Sequence, residues 1–531
     1  MTMTQTDPPT RPLGLPDESG KTDALPIVFS AIIFCVLSIW MATASNGFLE
    51  ADSITHYLAR RFALSEPAHL VSVWTRPFCV ALYAIPAHFG GLVGTRLMSL
   101  ALVMAMLAVT LIVNRRLNFT RAAFVAIFLL TQPLLFAHSF SELTEIPFAL
   151  LLICCFLAYQ RKQFLILTLL ATLAPLARPE GFGLMLVTAF ALLAHRRWWW
   201  TPILPLGLVA WSWAGWHVYG GPSEYPWWRW LPENWPYSGD SAYGHGSIFW
   251  LSIILPAVIG PMAFPLAWIG ACCSLSLRAR VRERGLADAQ VLPGSKVDGS
   301  TVLDDRSSEA SLAKRALPFA RFVLDHDYRC RALIALIPLG ILAGHSVLWA
   351  LGKMASNGEP RYLLIVAPFW ALLAAKGYEW VCNHVGVRRP LLWTIFAAIA
   401  PIAANFAYPS FPIGPADDDK LSDQVCAWLE TQSDLRQQYP LFGASLPHIF
   451  VQIDRDRLDK KHVVDSSRKT VTAPPPGVML VWDPIYSAFN SDERFVVSEQ
   501  LLRDNGWTPI ARFDQQTRYA IVYLSPSPAA K

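Results

Sequence analysis

Charged residues are scarce in this chain. Of 531 residues only 16% are Asp, Glu, Lys or Arg, while 53% are hydrophobic, and the mean hydropathy is +0.35. Soluble globular domains carry about 25% charged residues, so this shortage excludes an ordinary soluble protein and predicts an integral membrane protein. The formal net charge of +5 is spread over many loops. A dispersed charge of this kind excludes nucleic acid as a partner.

Patterned cysteines, internal repeats and a signal-peptide cleavage site are also lacking. None of the nine cysteines has CxxC or zinc spacing, so they are predicted to be small core hydrophobes without disulfides. We predict no cofactor and no metal, although Glu50 and Asp52 could share a divalent ion. Without a small-x-small cleavage site, the first apolar segment is predicted to be a retained helix.

Long apolar runs are what the chain has in abundance. A membrane-spanning helix needs roughly 20 apolar residues, because no water satisfies its backbone there. The stretch "LPIVFSAIIFCVLSIWMATA" from Leu25 fits this requirement. We predict an all-α polytopic membrane protein of about eleven spans. They begin near Leu25, Leu92, Ala122, Glu145, Phe164, Gly181, Trp199, Ile248, Ala332, Tyr362 and Leu391.

Short basic loops alternate with these spans and predict the sidedness. The loops "NRRLNFTR", "QRKQ", "HRRW" and "NHVGVRRP" are basic, as is the longer segment 278–330. By the positive-inside rule they are cytoplasmic, which places the N-terminus inside and the C-terminus outside a plasma or inner membrane. Residues 1–24 and 278–330 are predicted to be disordered, and residues 45–77 form the first outer loop.

The character of the chain changes after the transmembrane module, which is predicted to cover residues 25–408. "VMLVWDPIYS" and "TRYAIVYLS" have the pattern of buried strands, and "SDERFVVSEQLLRDNG" that of a capped amphipathic helix. Residues 409–531 are therefore predicted to form a small extracytoplasmic α/β domain.

Carboxylates stand in the first outer loop, in "FLEADSITHY". If a helix starts here, Asp52, Thr55 and His56 share a face, and Glu50 precedes it. Asp52 could simply cap the helix N-terminus. Ionisable groups at membrane depth are costly, however, so they are functional candidates.

Three further outer segments carry ionisable side chains. "LARPEGFG" predicts a tight turn with Arg178 and Glu180 at its tip, where a salt bridge between helix ends is the simpler interpretation. Glu145 begins a span, where it could merely interact with the helix dipole. Glu359 and Arg361 begin another span, and Arg361 could bind a phosphate or act as an interfacial anchor.

An aromatic outer loop, "SEYPWWRWLPENWPYSGDSAY", contains Trp227 and Trp228. Tryptophan favours the membrane interface, so an interfacial loop is the simpler interpretation. The functional alternative is a platform on which a sugar or a prenyl chain stacks.

The order of these motifs resembles the GT-C superfamily of polytopic membrane glycosyltransferases, the mannosyltransferase-like enzymes that use polyprenyl- or dolichyl-phosphate sugars. The resemblance covers residues 25–408 and rests on "EADSITHY" followed by "WTRPFCVAL", then "TEIPFALLL", "LARPEGFGLM" and "GEPRYLLIVAPF". Many members have adjacent acids in the first loop, whereas Ala51 separates Glu50 from Asp52 here. The choice of catalytic base therefore stays open between the two, and the stretch before Arg361 lacks the His-Lys of the glycolipid-anchor branch.

The resemblance implies transfer of a sugar from a lipid-phosphate donor to an acceptor hydroxyl, with inversion, in contact with membrane lipids. Asp52 is the expected base, with Glu50 as the alternative, and Arg178 and Arg361 would bind the donor phosphate. The residues implied to orient sugar or acceptor are His56, Tyr57, Glu145, Glu180, Glu359, Trp227 and Trp228.

A lipid or solute transporter, or flippase, is the alternative from another class. Transporters usually have related halves, and this chain shows no internal repeat. The enzyme requires four side chains to line one cavity: Asp52, Glu145, Arg178 and Arg361.

Overall fold

The computed structural model describes residues 23–221, 223–237, 239–241, 243–276, 325–354, 356–386, 411–488 and 496–526. The predicted disordered segments and the span predicted from Leu391 lie largely or wholly outside these residues. The helices of the membrane region are Ala24–Ala44, Ala51–Phe62, Ala68–Val71, Pro77–Leu117, Ala122–Leu130, Pro133–His138, Glu145–Gln160, Phe164–Ala177, Gly181–Ala194, Leu206–Val218, Trp230–Glu233, Trp250–Ile259, Ala263–Leu275, His326–Leu351 and Ala367–Val385. Short 3₁₀ segments occupy Trp198–Ile203, Trp227–Arg229 and Pro360–Val366.

Four helical segments in the described part of the chain are long and apolar enough to cross a membrane: Ala24–Ala44, Pro77–Leu117, His326–Leu351 and Pro360–Val385. A fifth arises if Trp250–Ile259 and Ala263–Leu275, bent by 107°, form one broken span. Three further apolar helices have only 14 to 16 residues. The multi-pass helical class is confirmed, whereas the count of eleven stays a prediction.

The 41-residue helix Pro77–Leu117 is broken at Gly91. Gly91 has φ 57° and ψ −143°, a backbone conformation that side chains with a Cβ rarely adopt. The break separates a first segment with exposed Ile85 and Phe89 from a second one that begins at Leu92, where the sequence predicted a span.

The C-terminal region is a small α/β domain, as expected. Its four strands are Leu441–Ala444 (β1), Val478–Trp482 (β2), Thr508–Gln515 (β3) and Arg518–Leu524 (β4), in the order β1-β2-β4-β3. β1 pairs parallel with β2, and the other pairs are antiparallel. Its helices are Asp417–Thr431, Ser433–Gln438, His448–Gln452, Arg468–Thr472, Pro484–Ala488 and Glu499–Asp504. The predicted strand at β4 is present, and β2 occupies the first half of "VMLVWDPIYS", whose later residues form the helix Pro484–Ala488. Of the helix predicted over "SDERFVVSEQLLRDNG", the described residues show Glu499–Asp504, capped by Ser498, and the sequence missed β1 and β3.

The helix Ala51–Phe62, called the loop helix below, joins the two regions. Its Ile54 and Leu58 are buried in one hydrophobic core with residues of the C-terminal domain such as Leu421 and Phe442. Outside this core, Arg61 forms an ion pair with Asp454 of the same domain at 2.8 Å. The first outer loop is therefore clamped between the membrane helices and the C-terminal domain.

The basic loops gather at the other end of the membrane helices. His326 bonds to the carbonyl of Gln160 at 3.2 Å, and Arg331 donates to the carbonyl of Leu117 at 2.9 Å. Gln160 ends the helix that Glu145 begins. The carboxylate of Glu145 and the described parts of the basic loops near His326 thus lie at opposite ends of the same helix.

Candidate functional site

The N-terminus of the loop helix positions two carboxylates. Glu50 has extended backbone angles just before the helix and Asp52 lies in its first turn, but no side chain caps the helix. Asp52 instead accepts a hydrogen bond from Nη2 of Arg361 at 2.6 Å. The simpler interpretation of Asp52 as an N-cap is therefore not what the structure shows.

A buried ion pair holds the segment before the loop helix. Nε of Arg96 lies 2.8 Å from Glu142, and both side chains are inaccessible to solvent. The remaining Arg96 nitrogens donate to the carbonyls of Ser45 and Gly47, each at 2.6 Å. Gly47 also touches residue 414 so closely that a Cβ would lie 2.0 Å from the Gly414 carbonyl oxygen. This packing fixes the direction in which Glu50 and Asp52 enter the site.

Arg361 lies among four carboxylates. Its Nη1 pairs with Glu50 at 2.6 Å and its Nη2 with Asp52 at 2.6 Å. Its Nε contacts Glu359 and lies 3.8 Å from Glu145. The guanidinium, which is only 9% exposed, thus connects the first outer loop to the start of two later helices.

Arg178 forms a second node that shares Glu145 with Arg361. Its Nη1 bonds Glu145 and donates to Thr144 Oγ1 at 2.9 Å, while Nε and Nη2 bond Glu180 at 3.0 to 3.2 Å. The tight turn predicted at "LARPEGFG" brings this about, because the helices Phe164–Ala177 and Gly181–Ala194 leave only three residues between them. His345 lies 3.3 Å from Glu180 and stacks on Tyr362.

Both nodes open into one cavity of about 310 Å³, called the central cavity below. Asp52, Glu145, Arg178 and Arg361 all line it, which is the arrangement that the enzyme hypothesis required. His56 and Glu180 line it as well, whereas Glu50 and Glu359 lie behind Arg361, outside the lining. Its volume is in the range of small-molecule sites.

Three residues predicted to orient sugar or acceptor are not brought to this cavity. Tyr57 is buried against the ring of Phe48. Trp227 and Trp228 lie in the aromatic loop, where Trp228 is 60% exposed. Thr55 lines a different cavity, so it does not share the functional face of Asp52 and His56.

Arg76 is a lining residue that sequence reasoning did not select, although "WTRPFCVAL" contains it. Its guanidinium lies over the rings of Tyr237 and Trp235, at 4.8 and 5.1 Å from their centroids. Among the residues that the structure describes, neither Nη1 nor Nη2 has a hydrogen-bond partner. The Tyr237 phenol is nevertheless close enough to raise the pKa of Arg76. Only the preceding Trp74 and the following Pro77 mark this residue in the sequence.

The backbone of Arg76 is strained as well, with φ 69°. A non-glycine residue in this region costs on the order of 1–3 kcal/mol and is concentrated at functional sites. Burial lowers the pKa of Arg76, although an arginine remains charged at neutral pH. A buried cation without a carboxylate partner can gain from an anion that enters the cavity.

The electrostatic environment distinguishes the groups on the loop helix. Burial raises the pKa of Glu50 to about 7, against the opposing effect of Arg361. Burial, reinforced by Arg60 and Arg361, lowers the pKa of His56 well below its ordinary value. Glu50 therefore titrates near neutral pH, and His56 is a neutral imidazole that can donate or accept a hydrogen bond.

No group of three or more His, Cys, Asp or Glu side chains suited to a metal ion occurs among the described residues. The carboxylates of Glu50, Asp52, Glu145 and Glu359 surround Arg361.

Two solved structures of ArnT from Cupriavidus metallidurans are similar to this chain. The structure bound to undecaprenyl phosphate has a TM-score of 0.55 and 14% identity, over 95% of this chain and 98% of that one. The apo structure has a TM-score of 0.47 and 14% identity, over 94% and 98%. No family model matches the chain, and no curated protein matches it significantly.

At this identity the likeness concerns the fold. The chain shares its fold with ArnT, a GT-C family protein, so the resemblance stated from its motifs is confirmed at the level of the fold. The comparison with ArnT extends over nearly the whole length of both chains.

Proposed function

We propose that this protein is a membrane glycosyltransferase that moves a sugar from a polyprenyl-phosphate donor to an acceptor hydroxyl, with inversion at the anomeric carbon. The observation that carries the proposal is the convergence of Asp52, Glu145, Arg178, Arg361 and Arg76 on one cavity. The fold shared with ArnT, which was solved bound to undecaprenyl phosphate, supports a lipid phosphate as the donor carrier.

The phosphate contact is assigned to Arg76. Arg178 and Arg361 form ion pairs with carboxylates, whereas Arg76 forms none with the described residues, and its Nη1 and Nη2 lack hydrogen-bond partners there. Arg178 and Arg361 then add positive potential and hold the acids in place. Together the three cations stabilise the charge on the departing phosphate.

The reaction needs one proton acceptor and one leaving group. The acceptor oxygen attacks the anomeric carbon and its proton passes to a carboxylate. The bond between that carbon and the phosphate oxygen breaks, and polyprenyl phosphate leaves with the electron pair. We assign Asp52 as the base because it lines the cavity, and Glu50, behind Arg361, as a group that tunes it. General-base catalysis is typically worth about 10²–10⁴-fold in rate.

The sugar is held by polar groups with free hydrogen-bonding capacity. Nδ1 of His56 and Oε2 of Glu145 are buried without a hydrogen-bond partner among the described residues. Sugar hydroxyls can satisfy both atoms, because each hydroxyl donates and accepts. Glu180, Glu359 and His345 act through the arginines and Tyr362 that they contact.

The proposed sidedness follows from the ends of the helices. The basic loops lie at the end opposite the central cavity, and the positive-inside rule makes that end cytoplasmic. The cavity and the C-terminal domain then face the extracytoplasmic side of the membrane.

The direct test is transfer by the purified full-length protein from radiolabelled undecaprenyl- and dolichyl-phosphate sugars to an extracted envelope glycolipid and glycan fraction. Asp52→Asn should lower transfer by at least 100-fold because the base is lost. Asp423→Asn, which alters an exposed carboxylate on the helix Asp417–Thr431, is the matched control and should keep full activity.

Full transfer by a folded Asp52→Asn protein would refute the assignment of the base. If the wild-type protein moved the lipid-linked sugars across vesicles without transferring the sugar, it would be the transporter instead.

A further inference from the structure

A second cavity lies between the membrane region and the C-terminal domain, and we call it the interdomain cavity. It has a volume of about 460 Å³ and includes no residue proposed above for base or phosphate contact. Its walls come from the loop helix, from the segment 69–75 and from residues 444–467 of the C-terminal domain. Its lining includes Thr55, His69, Trp74, Thr75, Arg457 and Ser466.

A hydrogen bond across the domain boundary closes one side of this cavity. Nε2 of His69 lies 2.8 Å from Oδ1 of Asp456, and both side chains are nearly buried. Asp456 also accepts from the backbone N–H of Leu458 at 2.9 Å, which fixes its orientation. This wall is therefore a built polar surface rather than an accidental gap between domains.

Other lining groups have hydrogen-bonding capacity to spare. Thr75 is 3% exposed, and its Oγ1 has no partner among the described residues. Arg457 lies with its guanidinium 5.5 Å from the centre of the Phe450 ring, and Thr55 adds a hydroxyl. A buried hydroxyl without a partner is costly unless a ligand or water satisfies it.

Trp74 is the wall shared by the two cavities. It lines both, and on the side of the central cavity its ring stacks on Tyr237, with 6.3 Å between centroids and 8° between planes. Tyr237 is one of the rings beneath Arg76. Along the loop helix, Asp52 and His56 face the central cavity while Thr55 faces the interdomain one.

We propose that the interdomain cavity binds the saccharide portion of the acceptor. A sugar ring has apolar faces that pack on aromatic rings and hydroxyls that need both donors and acceptors. The cavity offers the aromatic side chains of Trp74, Tyr219 and Phe450 together with hydroxyls, a carboxylate and a guanidinium. The term acceptor rests on the proposed function. Binding of a saccharide in this cavity does not.

Saturation-transfer difference NMR on the full-length protein in nanodiscs tests the proposal. The probes are methyl glycosides of hexoses, pentoses, uronic acids and amino sugars at millimolar concentration. Ser466→Trp places an indole in the cavity from the side of the C-terminal domain, and Lys460→Trp is the control on an exposed residue outside it. At least one sugar should give a signal that Ser466→Trp lowers at least fivefold and that Lys460→Trp leaves unchanged.

Arg457→Ala is a second variant that does not crowd the core, and it should lower the same signal at least twofold. The proposal is overturned if no sugar gives a signal, or if the signal survives both cavity variants. Binding of undecaprenyl phosphate is measured on the same samples. If the wild-type protein bound saccharide but not the lipid phosphate, the proposed function would fail while the saccharide site stood.

Discussion

The arginines of the central cavity fall into two groups. Arg178 and Arg361 are each surrounded by carboxylates, whereas Arg76 is held by the rings of Trp235 and Tyr237 and contacts no carboxylate among the described residues. All three are nearly buried and line the same space. The same residue type therefore occurs in two different environments around one cavity.

The difference lies in how each positive charge is compensated. A buried cation paired with several carboxylates is structural, because its removal leaves buried acids without a counter-charge. A buried cation that lies on aromatic rings is compensated only in part and can gain from an incoming anion. Arg361 and Arg178 should therefore set the shape of the site, and Arg76 should set its affinity for a phosphate.

Stability should separate the two groups most strongly. Arg361→Met leaves Glu50, Asp52, Glu145 and Glu359 without their shared cation, and we expect it to destabilise the protein by about 3 kcal/mol. Arg76→Met removes a charge that has no carboxylate partner and should change stability by less than about 1 kcal/mol. Thermal midpoints from size-exclusion chromatography in detergent measure both. Equal losses would contradict the comparison.

Affinity should show the converse pattern. Arg76→Met should weaken binding of undecaprenyl phosphate about 10- to 100-fold, because a charged hydrogen bond contributes about 1.5–3 kcal/mol. Arg76→Lys should recover part of the loss by restoring the charge without the planar fork. The exposed Arg436→Met serves as the matched control. If Arg76→Met bound undecaprenyl phosphate as tightly as the wild type, the phosphate contact would have to be assigned to Arg178 or Arg361 instead.

The pH dependence gives the smallest effect. The neutral form of Glu50 is favoured in the folded protein, since its pKa rises from 4.5 to about 7. Its contribution to stability is thus present below pH 4.5 and lost as the pH rises to about 7. The thermal midpoint of Glu50→Gln relative to the wild type should accordingly rise by on the order of 2 °C between pH 5 and pH 8.

The thermal midpoint of Arg76→Met relative to the wild type should not change between pH 5 and pH 8, because an arginine does not titrate there. A flat difference for Glu50→Gln would mean that the carboxylate stays ionised.

Much of the fold could be predicted from the sequence, because the strongest sequence patterns are local. Apolar runs, basic loops and the residue before Pro179 mark helices and a turn without reference to distant residues. The start of a span near Leu92 coincides with the break at Gly91. The two strands that were missed have less regular patterns: β1 has four residues, and β3 is mostly exposed and polar.

The contacts between side chains of the site could not be predicted from the sequence, because they join residues that lie far apart along the chain. The contact between Asp52 and Arg361 spans 309 positions, and no periodicity links them. Arg76 was missed because what distinguishes it is the absence of a carboxylate ion pair among the described residues, and only three-dimensional packing shows that. Trp227 and Trp228 drew attention by composition alone, and the central cavity forms without them.

The contact between the first outer loop and residues 411–414 has a consequence for biosynthesis. The backbone N–H groups of Asn46 and Gly47 both donate to the carbonyl of Ile413, and the Ser45 hydroxyl accepts from the N–H of Ile413. At roughly 5–20 residues per second, the ribosome makes Ile413 about 20–70 s after Gly47. The side chains of the central cavity are all synthesised before the chain reaches that point. All of these side chains are therefore present in the nascent chain before the loop that bears Asp52 can form its contacts with Ile413.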